Sequence, residues 1–212
     1  ITNIMSKSVV IIGKGPSVKS STREFIESYD DVAICNFPPM EGYEQYIGER
    51  ATYHFLNAHD PNPYKKSIVN NLGLKLILNT HYAQHPGTDS IFPDHEVQYA
   101  PSYGEIRIPE FKKEFGFDPS CGIIAIDYFV RKKDITDIAL VGFDFFRVNE
   151  RGYYYSPQEV QQSLKYLYSD SGQTPFDGSG VRINSNPHDS DKSEKFVYDM
   201  EKKYSKKILL VK

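Results

Sequence analysis

The chain has 212 residues, 39% of them hydrophobic, with a net charge of -3 and two cysteines. That length suits one large domain with a proper core. The slight acidity gives no pull toward nucleic acid, two cysteines make neither a disulfide framework nor a zinc site, and no run approaches the roughly 20 apolar residues that span a bilayer.

The first apolar run, Val9–Ile12, reads as a buried strand that runs into Gly13-Lys14-Gly15-Pro16-Ser17. The turn lacks the Gly-x-x-x-x-Gly-Lys-Ser/Thr of a P-loop and the third glycine of a dinucleotide fingerprint. Its glycines permit close backbone approach. Pro16-Ser17 can open a helix whose amides face an anion. A tight strand-to-helix turn explains the same residues.

Ser20, Ser21 or Thr22 is placed to cap a helix over 23–29. Val32–Cys35 is a second strand, followed by Asn36 and the breaker pair Pro38-Pro39. Residues 51–56 read as a third strand ending at Asn57, and 74–78 as a fourth ending at Asn79. Residues 106–115 read as a short helix. After Pro119-Ser120-Cys121-Gly122, apolar positions 123, 124, 126, 129 and 130 mark one face of a helix over 123–133. Residues 138–141 are a strand closed by Gly142-Phe143-Asp144. A helix over 193–204 and a strand over 208–211 complete the order.

Strands alternating with helices predict an α/β fold with a mainly parallel sheet. Ligands then sit at the carboxyl ends of the strands. Gly13, Asn36, Asn57, Asn79 and Asp144 all fall at such ends and are expected to form one functional rim. Residues 147–187 break the rhythm and hold Tyr153-Tyr154-Tyr155, a helix expected over 157–168, and a Gly/Ser/Asp-rich run. A long irregular insertion of this kind is expected to be a lid over the site. The organisation is thus a single domain, 1–212, with 147–187 as insertion.

His188 stands just before the last helix, where an imidazole can act as general base. Taken alone, a solvated or structural histidine explains it better. Asp189-Ser190-Asp191 spells a pattern able to ligate magnesium or manganese, but helix capping explains it better. No metal is expected. Cys35 and Cys121 each border an apolar run and are expected to be buried thiols, which suits a reducing compartment. The sequence begins at Ile1 rather than Met, so an anchor or a further domain is expected to lie outside it.

In order along the chain, these pieces resemble the bacterial sialyltransferases of glycosyltransferase family 42 and, more distantly, those of family 29. The matching residues are Gly13-Lys14-Gly15-Pro16-Ser17-Val18, Cys35-Asn36, Tyr46-Ile47-Gly48-Glu49, Asn57, Ser120-Cys121-Gly122, Gly142-Phe143-Asp144-Phe145-Phe146, the tyrosines at 153–155, and His188. The resemblance implies a Rossmann-like, GT-A-type domain. It implies inverting, metal-independent transfer of sialic acid from a CMP-sugar to a glycan hydroxyl. His188 would be the base. Gly13, Lys14, Gly15, Ser17, Asn36 and Asn57 would line the donor site, with Asp144 at the neighbouring strand end. Ser120, Cys121 and Gly122 would face the cytidine, and Tyr154 or Tyr155 the phosphate.

The resemblance further implies bacterial capsule or lipopolysaccharide synthesis and a cytoplasmic location, at the inner face of the membrane through parts absent from this sequence. Lys14 stands where the family has Asn, and Phe146 where it has the first lid tyrosine. These departures keep two alternatives open: a CMP-Kdo transferase of the same fold, or a non-catalytic nucleotide- or carbohydrate-binding module of a larger protein. Flagellin-modifying proteins with a related Gly-x-Gly-Pro-Ser domain are a third relative to weigh.

Overall fold

The computed structural model describes residues 6–36, 40, 42–56, 72–80, 92–99, 107–117, 119–145 and 189–212. Their strands are β1 (Lys7–Ile12), β2 (Asp31–Cys35), β3 (Tyr53–Leu56), β4 (Leu76–Asn79), β5 (Val97–Tyr99), β6 (Ile135–Val141) and β7 (Lys207–Leu210). They form one sheet in the order β5-β4-β3-β2-β1-β6-β7. Every pairing in it is parallel. The α/β fold expected from the sequence is what forms, and the sheet is parallel throughout.

The reason lies in the strands themselves. On β1, Val9 and Ile11 enter one core cluster and Val10 and Ile12 another, all fully buried. Successive side chains of a strand point to opposite faces, so a continuous apolar run means that both faces are covered. One face packs on α3 (Arg107–Phe115), α4 (Cys121–Val130) and α5 (Ser190–Tyr204), through Phe111, Phe129 and Phe196. The other packs on a 3-10 helix (Pro16–Ser20), α1 (Arg23–Glu27) and α2 (Glu44–Ile47), through Val18, Ile26 and Ile47.

α4 is apolar around nearly its whole circumference because it is buried nearly all round, where the sequence spacing suggested one buried face. Its one acid, Asp127, is fully buried and takes two hydrogen bonds from Arg131, both 2.9 Å, one turn on. α1 is capped by Thr22, whose hydroxyl accepts from the Phe25 amide at 3.2 Å. The helix that Pro16-Ser17 can open forms as the short 3-10 helix, whereas α2 and β5 were not expected from the sequence.

The chain leaves β1 and steps outward through β2, β3, β4 and β5. It then returns to the opposite side of β1 for β6 and β7. The connections therefore diverge between β1 and β6. The crevice beyond the carboxyl ends of those two strands is where open α/β sheets bind ligands.

Candidate functional site at the β1–β6 switch point

Two loops flank the crevice, and they are stitched together. The Gly13 amide donates to the Val141 carbonyl at 2.7 Å, and the Gly15 amide to the Gly142 carbonyl at 2.9 Å. The Ser17 amide donates to the Asp144 carboxylate at 3.0 Å. A Cβ on Gly15 would lie 1.9 Å from Asp144 Oδ2, and one on Gly13 would lie 2.5 Å from the Gly142 carbonyl oxygen. The glycine pair is thus required by the approach of the β6 loop. That loop holds its course through left-handed backbone at Gly142 (φ 73°) and Phe145 (φ 51°). A bulky residue such as phenylalanine rarely adopts that conformation, and strain of this kind collects at functional sites.

This geometry revises one expectation. The amides at the start of the 3-10 helix were expected to face an anion, and the Ser17 amide faces the protein's own carboxylate, Asp144. The Val18 amide turns back to the Gly15 carbonyl at 3.1 Å.

The ends of β2 and β3 lie along the same carboxyl edge of the sheet. Asn36 follows β2 in left-handed backbone, φ 52°. Its amide donates to the Phe55 carbonyl on β3 at 2.9 Å. The Cys121 thiol donates to that same carbonyl at 3.1 Å. One oxygen therefore gathers the ends of β2 and β3 and the start of α4. Ser120 caps α4, its hydroxyl accepting from the Ile123 amide at 3.3 Å. Gly122 lies against the Phe143 ring, where a Cβ would come within 2.8 Å of Cε1. The same ring lies 3.3 Å from a Cβ built on Gly13. Phe143 is a wedge between the β1 turn and α4.

The Lys14 charge acts on two buried groups. Burial pushes the His54 imidazole well below its ordinary range, and the Lys14 ammonium pushes it the same way. Burial pushes the Cys121 thiol well up, as does its hydrogen bond with the Cys35 thiol, while Lys14 pulls it back. Both cysteines are buried and reduced, as expected from the sequence. His54 and Phe143 were missed as site residues. His54 sits inside the apolar run Tyr53-His54-Phe55-Leu56, and only the sheet register aligns it, through Ile34 on β2, with Ile12 at the end of β1.

Of the site residues expected from sequence, Gly13, Lys14, Gly15, Ser17 and Asp144 line the two flanking loops, and Asn36, Ser120, Cys121 and Gly122 the adjoining rim. Asn57, Tyr154, Tyr155, His188 and the 147–187 insertion with its 157–168 helix lie outside the described residues. Asp189 caps α5, its carboxylate accepting from the Lys192 amide at 2.9 Å. Among the described residues no three His, Cys, Asp or Glu side chains cluster as a metal site, and no helix is long and apolar enough to cross a membrane.

No family model matches the sequence. Among curated proteins, serpin-Z2 of Arabidopsis thaliana is 31% identical over 105 residues, which is half of this chain and 22% of that protein. The chain therefore spans under a quarter of that relative, too little to carry over an activity. The fold has broader matches. The sialyltransferase Cst-I of Campylobacter jejuni superposes with a TM-score of 0.62, at 18% identity, over 100% of this chain and 77% of that one. The sialyltransferase CstII of Campylobacter jejuni, solved with cytidine-5'-monophosphate, gives 0.59 at 20% identity, over 98% and 80%. A mammalian sialyltransferase gives 0.55 at 15% identity, over 96% and 69%. The chain has the α/β fold of these GT-A-like sialyltransferases.

Proposed function

We propose that the chain is an inverting, CMP-sugar-dependent glycosyltransferase that moves a sialic-acid-type sugar to a glycan hydroxyl. One observation carries this reading: the fold likeness to a sialyltransferase solved with cytidine-5'-monophosphate spans 98% of this chain.

The chemistry follows from the donor. The acceptor hydroxyl oxygen attacks the anomeric carbon. The bond from that carbon to the phosphate oxygen breaks, and CMP leaves with the electron pair. His188 takes the hydroxyl proton, and the attack from the opposite side inverts the centre. Negative charge grows on the departing phosphate, and phenolic donors at Tyr154 or Tyr155 would meet it there. The residues at 147–187 would close over the donor, and the whole chain would act as one domain. CMP carries a single phosphate, so side chains can stabilise it without a metal, in agreement with the capping work of Asp189.

Calorimetry with CMP and UMP tests the nucleotide. CMP is expected to bind and UMP to bind at least about tenfold more weakly, since a site that hydrogen-bonds one base edge leaves polar groups unpaired with another. His188→Ala is expected to bind CMP as the wild type does and to transfer no sugar. Wild-type turnover by that variant would remove the base assignment.

A further inference from the structure

Open α/β sheets that bind dinucleotides set a pyrophosphate on the turn after the first strand. The second glycine of that turn, bare of a side chain, lets the backbone approach it. Gly15 is the second glycine here, and its bare face is already taken. A Cβ on it would lie 1.9 Å from Asp144 Oδ2 and 2.7 Å from Asp144 Cγ, so the carboxylate lies against the Gly15 backbone. Amides of the turn are engaged as well. Gly13 and Gly15 donate to the Val141 and Gly142 carbonyls, Ser17 to the Asp144 carboxylate at 3.0 Å, and Val18 to the Gly15 carbonyl. Pro16 has no N–H to offer. The protein's own anion thus stands where such a sheet holds a phosphate.

The chain brings that anion in deliberately. Asp144 comes from the β6 loop, and left-handed backbone at Gly142 and Phe145 brackets it. Its contact with Ser17 is part-buried, where like charges repel more strongly than in bulk water.

We infer that Asp144 is a specificity-determining residue: its carboxylate holds the glycine turn against a second phosphate and so selects nucleoside-monophosphate donors over nucleoside diphosphates. This rests on the reading of the crevice as a CMP-sugar site. A CMP-sugar carries one phosphate, which leaves the turn to Asp144. The added phosphate of a diphosphate would meet a like charge there, with the amides of Gly13, Gly15, Ser17 and Val18 already spent.

The test is calorimetric titration of CMP and CDP, in EDTA, into the wild type, Asp144→Asn and Asp144→Ala, each first shown by thermal melting to be folded. Asparagine removes the charge and keeps an oxygen for the Ser17 amide, whereas alanine also frees that amide. If the alanine variant fails to fold, the asparagine variant and the wild type carry the test. The wild type is expected to bind CDP no more tightly than CMP. The affinity for CDP relative to CMP is expected to rise at least about fivefold in Asp144→Asn, and further in Asp144→Ala. A purely structural Asp144 would move both nucleotides alike, so an unchanged CDP-to-CMP ratio in the folded variants overturns the inference. A wild type that binds CDP more tightly than CMP overturns it too. In both cases CMP still binds, and the CMP-sugar reading stands. A folded wild type that binds neither nucleotide removes that reading itself, and the role of Asp144 falls with it.

Discussion

The Asp144 carboxylate accepts a hydrogen bond from the Ser17 amide at 3.0 Å, across the crevice between β1 and β6. The two residues stand 127 positions apart, and the contact leaves no room for a side chain on Gly15. It joins the two loops on either side of the sheet's point of divergence, and it fixes what the glycine turn can offer a ligand.

Gly15→Ala tests that closeness. Gly15 has φ -68°, which alanine adopts without strain, so any cost is steric. The new methyl would strike Asp144 Oδ2 and the Gly142 carbonyl oxygen. Overpacking of this kind costs about 1–3 kcal/mol. Urea denaturation should show that loss, and Asp144→Ala in the same chain should cost less than the two changes summed, because it removes the nearer of the clashing groups. Wild-type stability in Gly15→Ala would mean that the loops do not approach as described.

His54 gives the fold a dependence on pH. Its folded pKa is depressed by burial first and by Lys14 second. The unfolded chain protonates it near pH 6.5, whereas the folded chain does so only at lower pH. Its contribution is therefore full above about pH 6.5. It is lost as the pH falls toward the folded value, at up to about 1.4 kcal/mol per pH unit for one proton. Urea midpoints at pH 7.5 and 5.5 should fall with acid in the wild type and fall less in His54→Gln. Equal slopes would contradict this.

The thiols of Cys35 and Cys121 should be inert in the folded protein. The Cys121 thiol is pushed up by burial, and only the thiolate reacts. At pH 8 a disulfide reagent should label neither cysteine until urea unfolds the chain. Prompt labelling of Cys121 under native conditions would contradict the packing of α4 on β3.

Much of the fold is legible in the sequence because buried strands leave an unbroken apolar run. Val9–Ile12 and Val32–Cys35 are of this kind, and both form. β5 is not legible, since Val97-Gln98-Tyr99 is three residues long on an edge of the sheet and owes its place to pairing with β4. The turn Gly13-Lys14-Gly15 announced a close approach but could not name its partner. That partner is the β6 loop, and no local pattern links segments so far apart. Lys14 was visible as a departure from the resemblance. Its relation to His54 was not, because a histidine in a strand shows neither its face nor its neighbours until the register is known.

Asp189 separates capping from metal binding. Its carboxylate accepts from the Lys192 amide, and loss of such a cap costs about 0.5–2 kcal/mol. Asp189→Ala should lose that much stability by urea denaturation while its rate of sugar transfer stays unchanged with or without EDTA. Transfer lost in this variant at full stability and restored by added manganese would assign Asp189 to a metal.

The most direct test of the central claim is donor turnover followed by mass spectrometry. The purified protein is mixed with CMP-sialic acid or CMP-Kdo, a galactoside acceptor and excess EDTA. The account predicts release of CMP from CMP-sialic acid and an acceptor heavier by one sialic acid residue. A folded protein that binds CMP but turns over neither donor would contradict it, and turnover of CMP-Kdo alone would overturn the sialic acid assignment.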